Sequence, residues 1–181
     1  MVGLRERVLR WLERCALRVI RAFSGNSSAG FATGRIIFLC TGNICRSPFA
    51  EAVAREKGAM AISCGTRTSS GAKADPVAIT VGKSMGRDLS AHLTTRWEDV
   101  ELRRGDIVIA MQLRHALKAY QRTFRAGVKV LVLGALVGPP VEVISDPYGC
   151  GAEEYWRVFS LIEHGIEALN RPIIPSNRKG V

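Results

Sequence analysis

Two periods of hydrophobicity alternate along this chain. Residues 35–40 (RIIFLC), 105–111 (GDIVIAM) and 128–136 (VKVLVLGAL) are short apolar runs rich in β-branched side chains. Runs of this kind, apolar on both faces, are how strands buried between helices appear in sequence. Residues 60–65 (MAISCG) form a further strand candidate. Between these runs, residues 47–58, 75–86, 112–125 and about 152–170 carry helical spacing. The first two helices open with Ser-Pro and Asp-Pro, which predicts a capping residue followed by proline at the first helical position. The order β-α-β-α predicts an α/β fold: a small four-stranded parallel sheet with helices on both faces, Rossmann-like, binding ligands at the carboxyl ends of its strands.

Ahead of this pattern lies a different one. In residues 4–23, Leu4, Val8, Trp11, Leu12, Cys15, Val19, Ile20 and Phe23 fall on one helical face, with Arg7, Arg10, Arg14, Arg18 and Arg21 opposite or flanking it. The expected organisation is a basic amphipathic helix over 1–24, a Gly/Ser-rich linker over 25–34, one folded domain over 35–170 and a basic tail over 171–181. A cationic helix with Trp and Phe on its apolar face can lie in an anionic membrane surface. The same face can also pack on the domain or on a second copy, and hydrophobicity alone does not choose among the three.

Composition narrows the class. At 47% hydrophobic and 23% charged the chain has the make-up of a soluble globular protein, and no apolar run reaches the length of a membrane span. Five cysteines without a disulfide-scaffold spacing fit the reducing cytoplasm. The net charge of +10 is concentrated at the ends: residues 1–25 hold six arginines against two glutamates. A nucleic-acid-binding protein spreads its basic stripe over the folded body, so no nucleic-acid partner is expected.

The candidate chemistry lies where the first buried strand becomes a helix, in CTGNICRSP, residues 40–48. A cysteine and an arginine six positions apart are a weak signal alone, and Cys15 and Arg21 repeat the spacing inside a continuous helical pattern. The copy at Cys40 and Arg46 follows a strand, contains Gly42 and Asn43, which accept positive φ, and ends at a helix start. Backbone amides of such a loop can turn inward to hold an anion, aided by the helix dipole. Arg46 can grip two phosphate oxygens. A cysteine facing that positive field is expected to be held as the thiolate, poised for in-line attack on phosphorus.

CTGNICRSPFAEAV resembles the signature of the low-molecular-weight protein tyrosine phosphatases, and SCGT, ADP, DLSAH and DPY follow in family order across most of residues 35–170. The resemblance implies Cys40 as nucleophile and a phosphate loop of Thr41, Gly42, Asn43, Ile44, Cys45, Arg46 and Ser47. It implies Asn43, Ser47, Ser63 and His92 as the network that shapes the loop, with Ser47 also bonding the thiolate. It assigns the general acid to Asp146, in VISDPYG, and leaves the second Asp-Pro, at Asp75, structural. Tyr148 would line the substrate pocket. No metal or other cofactor is implied. Cys45, five residues from Cys40, is expected to capture an oxidised Cys40 as a disulfide.

Departures from the family pattern bear on substrate choice. Tyr148 is followed by Gly149 rather than a second aromatic, residues 65–71 (GTRTSSG) lack a pocket-wall aromatic, and Gln112 stands where an acidic residue is usual. These features resemble the bacterial branch associated with exopolysaccharide export. The expected substrate is then a phosphotyrosine protein such as a bacterial tyrosine kinase or an export protein. The expected location is the cytoplasm, with peripheral contact at the inner face of its membrane. Ile44 separates the chain from related arginine phosphatases, which carry threonine there. Thioredoxin-coupled arsenate reductases add a cysteine pair, and none lies between Cys64 and Cys150. A phosphotyrosine-binding module with weak catalysis, or a membrane-docking protein, are the readings from other classes.

Overall fold

The computed structural model describes residues 34–124, 126–137 and 143–170. The amphipathic segment 4–23, nearly all of the linker and the basic tail lie outside the described residues. Four strands, β1 (Ile36–Cys40), β2 (Ala61–Gly65), β3 (Ile107–Ala110) and β4 (Lys129–Val132), form one parallel sheet in the order β2-β1-β3-β4. Helices α1 (Arg46–Glu56), α2 (Pro76–Ser84), α3 (Leu113–Thr123) and α4 (Ala152–Asn170) follow the strands. This is the α/β architecture expected from the alternating pattern.

Every residue of β1 is buried, and its alternation divides the core in two. Ile36, Phe38 and Cys40 face a cluster built with Phe49, Val53, Val81, Phe159 and Ile162 from α1, α2 and α4. Ile37 and Leu39 face the other way, toward Trp97, Val100, Val108 and Ala119. Phe49 and Phe159 stack at 3.9 Å between ring centroids, fixing α1 against α4. Burial of a large apolar side chain contributes ~1.5–3 kcal/mol, so this pair is a substantial part of what holds α1 against α4.

The sheet order reverses at β1: the chain runs outward to β2 and then crosses back to β3 on the other side. Ligands in open α/β sheets sit at the carboxyl end of the strands beside such a reversal. The loop after β1 and the turn after β3 both open there.

Some boundaries differ from the pattern. β4 ends at Val132, and Leu133–Ala135 form a single 3-10 turn. The apolar run continues because Leu133 is fully buried against α4, not because it pairs as a strand. A Cβ on Gly165 would lie 2.8 Å from Leu133 Cδ1, so glycine lets the two meet. Asp75 caps α2 as expected, its Oδ1 accepting from the amides of Val77 and Ala78 at 3.0 Å each. Ser47 does not cap α1. The helix begins one residue earlier, at Arg46, with Cys45 in the capping position and no side-chain cap. Ser47 is fully buried and turned toward Cys40.

Candidate active site

The loop between β1 and α1 is built around Asn43. The sequence offers Gly42 and Asn43 for positive φ; Asn43 alone takes it, at 55°. Left-handed backbone costs an ordinary residue ~1–2 kcal/mol, and asparagine tolerates it best after glycine. Five hydrogen bonds hold it. Asn43 Nδ2 donates to Ser47 Oγ at 2.9 Å and to Ser63 Oγ at 2.8 Å. Its Oδ1 accepts from the Thr95 amide at 2.8 Å. Its carbonyl meets His92 Nε2 at 2.9 Å, and its amide donates to Cys40 Sγ at 3.2 Å. Ser63 Oγ passes the chain on to Glu51 Oε2 at 2.6 Å. Ser63 and His92 therefore stand behind the loop, where the family resemblance places them.

Gly65 makes this arrangement possible from the other side. Thr66 and Arg67 donate their amides to the carbonyls of Cys40 and Thr41, both at 2.9 Å, so the segment after β2 runs along the loop. A Cβ on Gly65 would lie 2.7 Å from the Thr41 carbonyl oxygen and 3.1 Å from Asn43 Cβ. Only glycine lets the two backbones approach this closely.

Cys40 Sγ, at the end of β1, receives two donors. Ser47 Oγ lies 3.0 Å away, accepts from Asn43, and has the sulfur and, at 3.4 Å, the Cys64 carbonyl as acceptors for its own proton. The Asn43 amide is the second. Among the described residues, the amides of Gly42, Ile44 and Cys45 donate to no protein group. They are free for the oxygens of an anion.

Arg46 is 1% exposed, yet its guanidinium reaches the site. Nη1 donates to the Ile144 carbonyl at 3.0 Å and Nη2 to Asp146 Oδ2 at 2.5 Å, while Nε has no partner among the described residues. Asp146 reaches it from the segment before α4. Ile144 is fully buried and donates its amide to the Met111 carbonyl at 3.2 Å, tying this segment to the end of β3. Pro147 restricts the next step, and Gly149, at φ 79°, turns the chain toward α4. Cys40, Thr41, Gly42, Ile44, Cys45, Arg46, Asp146 and Tyr148 together line one cavity of about 190 Å³. Tyr148 is exposed at its mouth.

Cys45 belongs to a second network. Its thiol lies 3.6 Å from Tyr155 Oη, which donates at 2.9 Å to the same Asp75 oxygen that caps α2. Burial pushes the Cys45 thiol up to about 12, so it is neutral near pH 7. Asp75 thus joins the start of α2 to Tyr155 on α4.

His115 was not singled out in the sequence. It lies in the first turn of α3, 2% exposed, with Nε2 3.0 Å from Thr41 Oγ1. Arg114 Nη2 donates to the same hydroxyl at 3.4 Å. Burial, then the charges of Arg46 and Arg114, push the His115 imidazole down to about 3. The neutral ring shares one hydrogen bond with Thr41 through Nε2, while Nδ1 is buried without a partner among the described residues. Nothing local predicted this, because the histidine is buried by tertiary packing of the helix start on the loop.

Free loop amides, the Cys40 sulfur, Arg46 and the Asp146 carboxyl thus share one cavity, an arrangement suited to the chemistry of a cysteine-dependent phosphatase. Residues 35–177 match the family described as low molecular weight phosphotyrosine protein phosphatase, and the chain belongs to that family. It is 34% identical over 146 residues to the low molecular weight protein-tyrosine-phosphatase of Streptomyces coelicolor, covering 72% of this chain and 88% of that protein. It is 30% identical over 135 residues to EpsP of Ralstonia nicotianae, named a probable low molecular weight protein-tyrosine-phosphatase, covering 74% and 91%. Vibrio vulnificus Wzb, solved with benzylphosphonate, superposes with a TM-score of 0.66 at 25% identity, covering 77% of this chain and 98% of that one. The YwlE arginine phosphatase of Geobacillus stearothermophilus superposes with a TM-score of 0.65 at 30% identity, covering 76% and 90%. The chain is thus an enzyme of the tyrosine phosphatase class, and the readings as a binding module or docking protein are not favoured.

The neutral His115 makes stability pH-dependent. An unfolded chain takes up a proton at this histidine near pH 6.5, whereas the folded one refuses it down to about 3. Its contribution is therefore complete above pH 6.5 and shrinks as the pH falls toward 3, by about 1.4 kcal/mol per unit. His92, also pushed down by burial, acts in the same direction. Urea unfolding of wild type and His115→Gln at pH 7 and pH 5 separates the two: the variant should lose about 2 kcal/mol less on acidification. Parallel losses in the two proteins would contradict the neutral, buried assignment.

Proposed function

We propose that the enzyme hydrolyses phosphotyrosine on proteins through a phosphocysteine formed on Cys40. The loop amides and Arg46 hold the phosphoryl oxygens. The Cys40 thiolate attacks phosphorus in line; the bond to the tyrosine oxygen breaks, and Asp146 gives that oxygen its proton. Asp146, now a carboxylate, takes a proton from water as the water attacks the phosphocysteine, releasing phosphate and restoring the thiolate. The observation that carries this reading is the placement of the Cys40 sulfur, with its two donors, on the wall of the same cavity that holds Arg46 and Asp146. The Arg46–Asp146 contact adds an ordering: phosphate competes for Arg46 and so frees the carboxyl to face the leaving oxygen. Ile44, where arginine phosphatases resembling this chain carry threonine, supports tyrosine over arginine as substrate.

The relatives EpsP and Wzb support a bacterial setting. Within it, the substrate is a tyrosine kinase or polysaccharide-export protein of the same cytoplasm, and residues 4–23 attach the enzyme to the inner face of the membrane. Among the described residues no helix is long and apolar enough to cross a membrane.

Two outcomes test this function. Cys40→Ser should abolish turnover, because a serine hydroxyl in the loop stays protonated. Asp146→Asn should slow phosphotyrosine hydrolysis ~10²–10⁴-fold and p-nitrophenyl phosphate hydrolysis less, since the better leaving group needs the proton less. Equal losses on both substrates would remove Asp146 as the acid. For attachment, the full chain should sediment with anionic liposomes at low salt and lose this on deletion of residues 1–24. Full-length protein left in the supernatant at low salt would sink the membrane reading.

A further inference from the structure

The spacing of residues in α3 gives one helix two unlike faces. His115, Ala116, Ala119 and Thr123 are buried against the sheet and the phosphate loop. Leu113, Leu117, Tyr120 and Phe124 run along another face, at helical spacing. Leu117, Tyr120 and Phe124 are 60%, 61% and 56% exposed, and the rings of Tyr120 and Phe124 lie 6.1 Å apart. No other helix or strand among the described residues exposes more than one large apolar side chain. Single exposed apolar side chains are ordinary, whereas a group on one face marks an interaction surface.

Charge decides what this surface meets. Residues 113–123 contain Arg114, Lys118 and Arg122 and no acidic residue. Lys118 meets Glu98 at 3.5 Å, and Arg122 donates to the carbonyls of Trp97 and Val100. Arg114 donates to the Thr41 hydroxyl and has no carboxylate partner among the described residues. A second copy docked through α3 would set these cations against their own kind, and so would the arginine-rich residues 4–23. An anionic lipid surface attracts them, while leucine, tyrosine and phenylalanine enter the headgroup boundary.

The path of the chain agrees. A Cβ on Gly34, the first described residue, would lie 2.3 Å from the Gly105 carbonyl oxygen. The Gly105 amide donates to the carbonyl of Gly127, in the turn that joins α3 to β4. The chain therefore enters the domain beside the carboxyl end of α3. A flexible linker of the length of residues 24–33 spans about 18 Å r.m.s., so a surface that holds residues 4–23 is within reach of α3.

We propose that the exposed face of α3 is a second membrane contact, laid on an anionic lipid surface once residues 4–23 have attached there. It rests on that attachment, because three side chains alone hold too weakly, whereas a tethered face meets the surface at high effective concentration. The first turn of α3 touches Thr41, so this contact brings the phosphate loop to the membrane surface.

Binding of the full chain to vesicles of phosphatidylserine in phosphatidylcholine tests this. Leu117→Ser/Tyr120→Ser should bind on the order of tenfold more weakly than wild type, with p-nitrophenyl phosphate hydrolysis in solution unchanged. In Leu117→Trp, brominated anionic lipid should quench more tryptophan emission than in wild type, which reports the helix itself at the lipid. Should the double variant not fold, the quenching still decides. Unchanged affinity in the double variant, or no added quenching in Leu117→Trp, overturns the α3 contact alone. A lipid-free dimer that the double substitution dissociates, at unchanged vesicle affinity, assigns the face to a second copy and overturns it too. So does a lipid-free chain whose residues 4–23 become protease-sensitive only in the double variant, at unchanged vesicle affinity, which assigns the face to that segment. Wild type that stays off the vesicles at low salt overturns the attachment of residues 4–23 and the α3 contact together.

Discussion

The left-handed backbone of Asn43 is the constraint on which the site depends. A residue at φ 55° reverses the chain within one step after β1, which is what curls successive amides around a common centre. That conformation persists because both side-chain donors, the side-chain acceptor, the carbonyl and the amide of Asn43 are all bonded. The partners come from four parts of the fold: Cys40 from β1, Ser47 from α1, Ser63 from β2, and His92 and Thr95 from the segment before β3. The loop is thus fixed by the packing of the whole sheet, and Gly65 leaves the room for it.

The same residue reaches the chemistry directly. Its amide and, through Ser47, its side chain determine what the Cys40 sulfur meets. Arg46, the first residue of α1, donates to the Ile144 carbonyl and to Asp146. Two further networks brace the flanks. Tyr155 and Asp75 hold Cys45 from the α2 side, and a neutral His115 holds Thr41 from the α3 side. Preorganisation of this kind keeps donors aimed where charge develops without reorganisation during the reaction.

Much of this was legible in the sequence, for identifiable reasons. The strands were apolar on both faces, so their period and length gave the parallel sheet. A strand before Cys40 and a helix start after Arg46 distinguished this pair from Cys15 and Arg21. Local signals failed where tertiary contacts override them. Ser47 precedes a proline and looks like a cap, yet its hydroxyl goes to sulfur. Residues 133–136 continue an apolar run, yet Leu133 is apolar for the sake of α4. His115 carries no local mark, because its role comes from the helix start packing on Thr41. Gly42 and Asn43 were equal candidates for positive φ, and only the hydrogen-bonding capacity of the asparagine side chain separates them.

The most direct measurement of the central claim is competitive inhibition by inorganic phosphate in Asn43→Ala, with p-nitrophenyl phosphate as substrate. Alanine keeps the Cβ but loses the three side-chain hydrogen bonds and the tolerance of left-handed backbone. If these shape the cradle, phosphate should inhibit at least about tenfold more weakly, the change expected from roughly 1.4 kcal/mol, and kcat should fall with it. An inhibition constant within about twofold of wild type, in a folded variant with unchanged kcat, would contradict the account.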